Sequence, residues 1–74
     1  MTLTLFQRDE CPLCDIAYEV LAAAGVHDFD PIWIDGDVGL EGDYGTRVPV
    51  LRREDSRLEL DWPFDPAAVR RFLA

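Results

Sequence analysis

Apolar and small polar residues alternate from Thr2 to Phe6, placing Leu3 and Leu5 on one face, and this period of two predicts a first β-strand. The charged loop "QRDE" follows, and the period then changes. From Pro12 onward, Leu13, Ile16, Ala17, Val20, Leu21 and Ala24 recur at the three-and-four spacing of an amphipathic helix packed on a sheet. Pro12 suits the first helical position, where its missing N–H would have had no partner, and Gly25 closes the helix because it adopts a left-handed cap without steric cost. The short apolar run in "FDPIWID", centred on Ile32, Trp33 and Ile34, reads as a second strand. Strand, helix and strand in that order form a βαβ unit, which crosses over right-handed and leaves its strands parallel.

The pattern is weakest in "GDVGLEGDYG", where four glycines in ten residues argue against a stable helix although Val38 and Leu40 call for an apolar partner. A turn or a frayed helix is expected there. "RVPVLRRE" and "RLELDW" are strand candidates joined by the polar "EDS", a spacing that fits an antiparallel hairpin. In "FDPAAVRRFLA", Asp65 is the N-cap, Pro66 takes the first helical position, and Val69, Phe72 and Leu73 share one face.

Composition narrows this to a small globular unit. The 74 residues make one domain, 1–74, and 49% hydrophobic content with eight aromatics is more than a disordered chain carries. A chain of this length buries about 60% of the surface its unfolded form exposes, so the core is small. The stretch "MTLTLFQRDE" has neither a basic leader nor an apolar run long enough to span a bilayer, so a cytoplasmic location is expected. The net charge of −8 repels phosphate backbones and anionic lipid, which excludes nucleic acid and membrane as expected partners. The plain meaning of such a surface is solubility.

The candidate chemistry lies in "ECPLCD", which holds both cysteines. A structural zinc site needs four N or S ligands, and the remaining candidate, His27, lies beyond the far end of the first helix, roughly 16 Å away at helical rise. No metal is expected, and His27 reads as a solvent-facing loop residue. As a staple, a bridge closing so few residues restrains the unfolded chain by about 2 kcal/mol at best. A redox role uses every neighbour. Cys11 precedes the helix, where unpaired N–H groups and the dipole favour a thiolate; Cys14 lies one turn further in, suited to resolve a mixed disulfide; Pro12 fixes the turn between them. Asp9, Glu10 and Asp15 oppose the thiolate while Arg8 favours it.

Beyond these residues, the chain resembles the thioredoxin superfamily, and more closely the glutaredoxin-like proteins, over nearly its whole length. "LTLFQRDECPLC" is similar to the family's first strand and active-site loop, and "TRVPVL" to its T-V-P strand start. The resemblance implies an α/β thioredoxin-like fold with a four-stranded mixed sheet of order 2-1-3-4. It also implies a dithiol–disulfide oxidoreductase that reduces protein or glutathione mixed disulfides, with Cys11 as nucleophile and Cys14 as resolving thiol. Pro49 would be a cis proline facing the nucleophile. Val48, with Arg47 beside it, would dock an extended peptide or glutathione, Pro12 and Leu13 would border the substrate, and Arg8 would stand where the family carries a lysine that binds glutathione.

No cofactor is implied as bound. Glutathione or a reductase would supply electrons, a disulfide-containing protein or glutathione would be the partner, and the protein would act as a monomer. Two features depart from the family pattern: Leu13 replaces its aromatic residue, and "DWPFD" replaces its Gly-Gly before the last helix. Asp61, Asp65 and Pro66 should weaken glutathione binding there, while Trp62 and Phe64 read as packing against Val69 and Phe72 or as a platform beside Cys11. Two rivals remain at this point, an iron–sulfur or metal-binding dimer and an adaptor that kept the fold without the activity.

Overall fold

The computed structural model describes residues 2–74. Seven elements follow one another: β1 (Leu3–Gln7), α1 (Pro12–Ala23), β2 (Asp30–Trp33), α2 (Val38–Tyr44), β3 (Val50–Arg53), β4 (Glu59–Asp61) and α3 (Pro66–Leu73). The strands form one sheet of order β2-β1-β3-β4, the order implied by the resemblance. β1 is central. It runs parallel to β2, with Gln7 opposite Trp33, and antiparallel to β3, with Leu5 opposite Leu51; β4 pairs antiparallel with β3.

All five residues of β1 are buried, because helices cover both faces of the sheet. On one face, Leu3, Leu5 and Leu51 pack with Ala17 and Leu21 of α1 and with Phe64 and Val69 at α3. Phe6 and Val50 point to the other face, where Ile34 and Tyr44 cover them with Leu40 and Val48 at the margin. Trp62 and Phe64 belong to the first of these cores, meeting edge to face at 4.9 Å, rather than to a platform at Cys11.

Local signals account for the helix ends. Asp65 accepts from the Ala68 N–H at 2.7 Å and Pro66 opens α3. Gly25, at φ 83°, ends α1 in the left-handed region, which lets the Gly25 and Val26 N–H groups reach back to Ala22 and Leu21.

Three expectations need correction. Leu13 and Ile16 are exposed, so the buried stripe of α1 runs through Cys14, Ala17 and Leu21 instead. The helix is turned so that Cys14 takes an inward position. Val38 is also exposed, at 89%, and finds no apolar partner. The glycine-rich segment nevertheless forms the helix α2. Asp37 caps it, accepting from the Leu40 N–H at 3.0 Å, and the Tyr44 ring stacks on Phe6 with centroids 4.0 Å apart. Tertiary burial of one aromatic ring offsets the low helix propensity of Gly39 and Gly42.

Candidate active site

Cys11 is the N-cap of α1, with extended backbone (φ −119°, ψ 100°), and its Sγ accepts from the Cys14 N–H at 3.1 Å. Serine or aspartate usually does this; here a sulfur satisfies one of the orphan N–H groups at the helix start. Pro12 has no N–H to offer, so the donor at Cys14 is directed at the sulfur. Cys11 and Cys14 are joined in a disulfide, with Cα atoms 5.2 Å apart, inside the range such a bridge requires. The two sulfurs differ in environment. Cys14 is 2% exposed and belongs to the buried face of α1, whereas Cys11 is half-buried at the surface.

Beside Cys11 opens a cleft of about 400 Å³. Its walls come from the end of β1, the loop to α1, the first turns of α1 and the end of β2, bringing Gln7, Tyr18 and Trp33 to the cysteine. The pairing of Gln7 with Trp33 across the parallel strands carries the indole to this position. Tyr18 is held by Gln7, whose Nε2 donates to its hydroxyl at 2.8 Å, and by an edge-to-face contact with Phe29 at 5.5 Å.

Among the residues nominated from the sequence, Arg8 and Cys11 line this cleft, and Pro12 and Leu13 lie exposed at the adjoining helix start. Cys14 lies beneath them. Arg8 is engaged by the protein itself: its guanidinium meets the Glu41 carboxylate through two bonds of 3.0 and 2.5 Å and donates to the Gly45 carbonyl at 3.1 Å. That hydrogen bonding, reinforced by the charges of Glu41 and Asp35, raises its pKa against the opposing effect of burial. Val48 and Pro49 lie outside the cleft walls; Pro49 is buried, the Val48–Pro49 peptide bond is cis, as is Trp62–Pro63, and Val48 packs against the Phe6 and Tyr44 core.

Arg47 also lies outside them, within a polar network on the α2 side. It holds the Asp61 carboxylate through two bonds of 3.0 and 2.8 Å and donates to Glu59 at 2.6 Å and to the Asp43 carbonyl at 3.0 Å. Tyr44 donates its hydroxyl to Glu59 at 2.5 Å and receives a bond from Arg52 at 3.1 Å. Burial first, then the Glu59 carboxylate, pushes the Tyr44 phenol up. Glu59 is held below its ordinary value: burial works against this, but the bonds from Tyr44 and Arg47 and the nearby guanidinium charges outweigh it. Bonding to Arg47 lowers Asp61 in the same way, and bonding to Arg52 lowers Glu54.

Sequence reasoning did not place Gln7, Tyr18 or Trp33 at the site. A signal existed for Tyr18, an aromatic outside the apolar stripe of α1. None existed for Trp33, whose apolar run looked like buried strand. His27 is exposed, and no three His, Cys, Asp or Glu side chains gather to hold a metal ion among the described residues. No helix of the described residues is long and apolar enough to cross a membrane.

Comparison with known proteins bears on the family and the fold. The family model described as the glutaredoxin-like domain (DUF836) matches residues 2–74. No curated protein sequence matches the chain. Among solved structures, the chain is similar to the Northeast Structural Genomics target protein XcR50 from X. campestris. Its X-ray structure aligns at a TM-score of 0.91 with 54% identity, covering 96% of this chain and 93% of that one. The solution structure of XcR50 aligns at 0.90 with 53% identity, covering 99% and 92% respectively. The solution structure of protein Ne2328 from Nitrosomonas europaea aligns at 0.81 with 27% identity, covering 99% of this chain and 91% of that one. The four-stranded sheet with its three helices is thus a thioredoxin-like fold, and the Cys-x-x-Cys pair fits a thiol redox fold.

Proposed function

The chain belongs to the glutaredoxin-like domain family, and from that premise we propose that it is a dithiol–disulfide oxidoreductase acting on protein or peptide disulfides. One observation carries the reading: Cys11 is half-buried, lines an open cleft and has its sulfur hydrogen-bonded by a helix-terminal N–H, while its partner Cys14 is buried. Thiol–disulfide exchange needs that asymmetry, one accessible sulfur to meet the substrate and one shielded sulfur that reacts only within the protein.

In the reduced protein the Cys14 N–H and the dipole of α1 stabilise a thiolate on Cys11. That thiolate attacks one sulfur of the substrate disulfide. A bond forms between Cys11 and the substrate, the substrate S–S bond breaks, and the departing thiolate takes a proton from solvent. Cys14, deprotonated, then attacks the Cys11 sulfur, releases the second substrate thiolate and leaves the Cys11–Cys14 disulfide. Two electrons have passed from the dithiol to the substrate, and a thiol reductant or a reductase returns them.

A protein or peptide disulfide is favoured over glutathione by the start of α3. There the Asp65 carboxylate already takes the Ala68 N–H, and Pro66 supplies no donor. A carboxylate arriving at that helix start would meet Asp65 rather than open N–H groups.

The test is single-turnover reduction of a peptide disulfide by the pre-reduced protein. Cys11→Ser should abolish the reaction, and Cys14→Ser should accumulate a mixed disulfide visible as an adduct in the intact mass. Equal reactivity of the two variants would overturn the assigned roles. The Cys11 thiol of the reduced protein should titrate below the unperturbed ~8.5.

A further inference from the structure

We propose that the cleft beside Cys11 selects disulfides flanked by a lysine or arginine, receiving the cationic side chain between Trp33 and Tyr18. This rests on the redox reading above and names the substrate class that the site prefers.

The cleft has the shape and chemistry of a cation receptor. Two aromatic side chains wall it, Trp33 at 52% and Tyr18 at 40% exposure, and neither is needed for the core. An indole or phenol face attracts an ammonium or guanidinium through its quadrupole. Gln7, 5% exposed, also lines the cleft, and its amide nitrogen holds the Tyr18 hydroxyl in place.

Charge points the same way. Asp9, Glu10 and Asp15 line the cleft, and among the described residues none of the three has an ion-pair partner. Arg8, the one cation of the lining, is neutralised by its bidentate pair with Glu41. The cleft is therefore negative where the substrate must approach, on a protein whose net charge is already −8. Such a field raises the encounter rate of cationic substrates and lowers that of anionic ones, and added salt erases the difference.

Two disulfide-bonded peptides of equal length decide the matter, one with lysines and the other with glutamates beside the cysteines. Each is reduced by the pre-reduced protein in single turnover at 20 mM and 500 mM salt, with a small neutral disulfide as reference. The lysine peptide should react about tenfold faster than the glutamate peptide at low salt. That advantage should shrink to about twofold at high salt. The triple variant Asp9→Asn, Glu10→Gln, Asp15→Asn should bring the low-salt ratio towards one, and Trp33→Ala should lower it in part. Using the ratio removes any change in the reactivity of Cys11 itself. Equal rates for the two peptides at low salt, with the neutral disulfide reduced normally, would overturn the cation selectivity and leave the redox reading standing. Failure to reduce all three would overturn the redox reading and the selectivity with it.

Discussion

Two regions of this small molecule handle charge in opposite ways. Around α2 and the β3–β4 hairpin, Arg47, Arg52 and Arg57 are matched with Glu54, Glu59 and Asp61, and Tyr44 bridges the group. In the loop before α1 and the first turn of that helix, Asp9, Glu10 and Asp15 stand without ion-pair partners beside the half-buried Cys11. The difference teaches where the molecule spends charge on holding itself together and where it leaves charge facing outward. A paired network restrains α2, which has little helix propensity of its own. Unpaired carboxylates beside a reactive group add little to the fold beyond the favourable place of Asp15 in the first turn of α1, so their main effect falls on whatever approaches.

The largest expected break in that comparison comes from the paired region. Tyr44→Ala removes the ring stacked on Phe6 together with the hydroxyl bonded to Glu59, and should cost about 3–5 kcal/mol in denaturant unfolding. Loss below about 1 kcal/mol would mean that α2 is held by something other than its aromatic anchor.

An intermediate effect is expected from Arg47→Met, which removes the bonds to Glu59 and Asp61. Because these groups are partly exposed, solvent screening limits the loss to about 1 kcal/mol at neutral pH. Its pH dependence is more diagnostic. Glu59, Asp61 and Glu54 are all lowered in the folded protein, so the unfolded chain binds their protons first. Their contribution is complete above the unfolded value of about 4 and is lost as the pH falls through the lower folded values. The wild type should therefore lose stability steeply below about pH 4, and Arg47→Met should do so less steeply. Parallel curves would show that the network does not carry the acid sensitivity.

The smallest effect should come from the unpaired region. Neutralising Asp9, Glu10 and Asp15 together should change stability by no more than about 0.5 kcal/mol, because exposed unpaired charges lack a partner to lose. A loss comparable to that of Arg47→Met would mean that the two regions do not divide the work as described.

Several features were legible residue by residue. Pro12, Gly25, Asp65 and Pro66 announce the helix ends because a cap acts on N–H or carbonyl groups only a few residues away. The Cys-x-x-Cys at the head of α1 is legible for the same reason, since one helical turn brings the two sulfurs together. The exposure of Leu13 and Ile16 was not legible, because the apolar spacing fits a stripe through Leu13 as well as one through Cys14. The rotation of α1 was chosen by the sheet beneath it. Arg8 stands next to a thiol in sequence, but its partner Glu41 is 33 residues away, beyond the reach of any local pattern.

The amino-acid order alone determined the succession of strands and helices, the position of the sulfur pair and the excess of negative charge, all of which depend on neighbours within a turn or on simple sums. Only the tertiary structure decided which sulfur meets solvent, which carboxylates are paired, and that an indole from β2 and a phenol from α1 close around the site. Those outcomes depend on contacts between segments far apart in the chain, whose geometry no local pattern encodes.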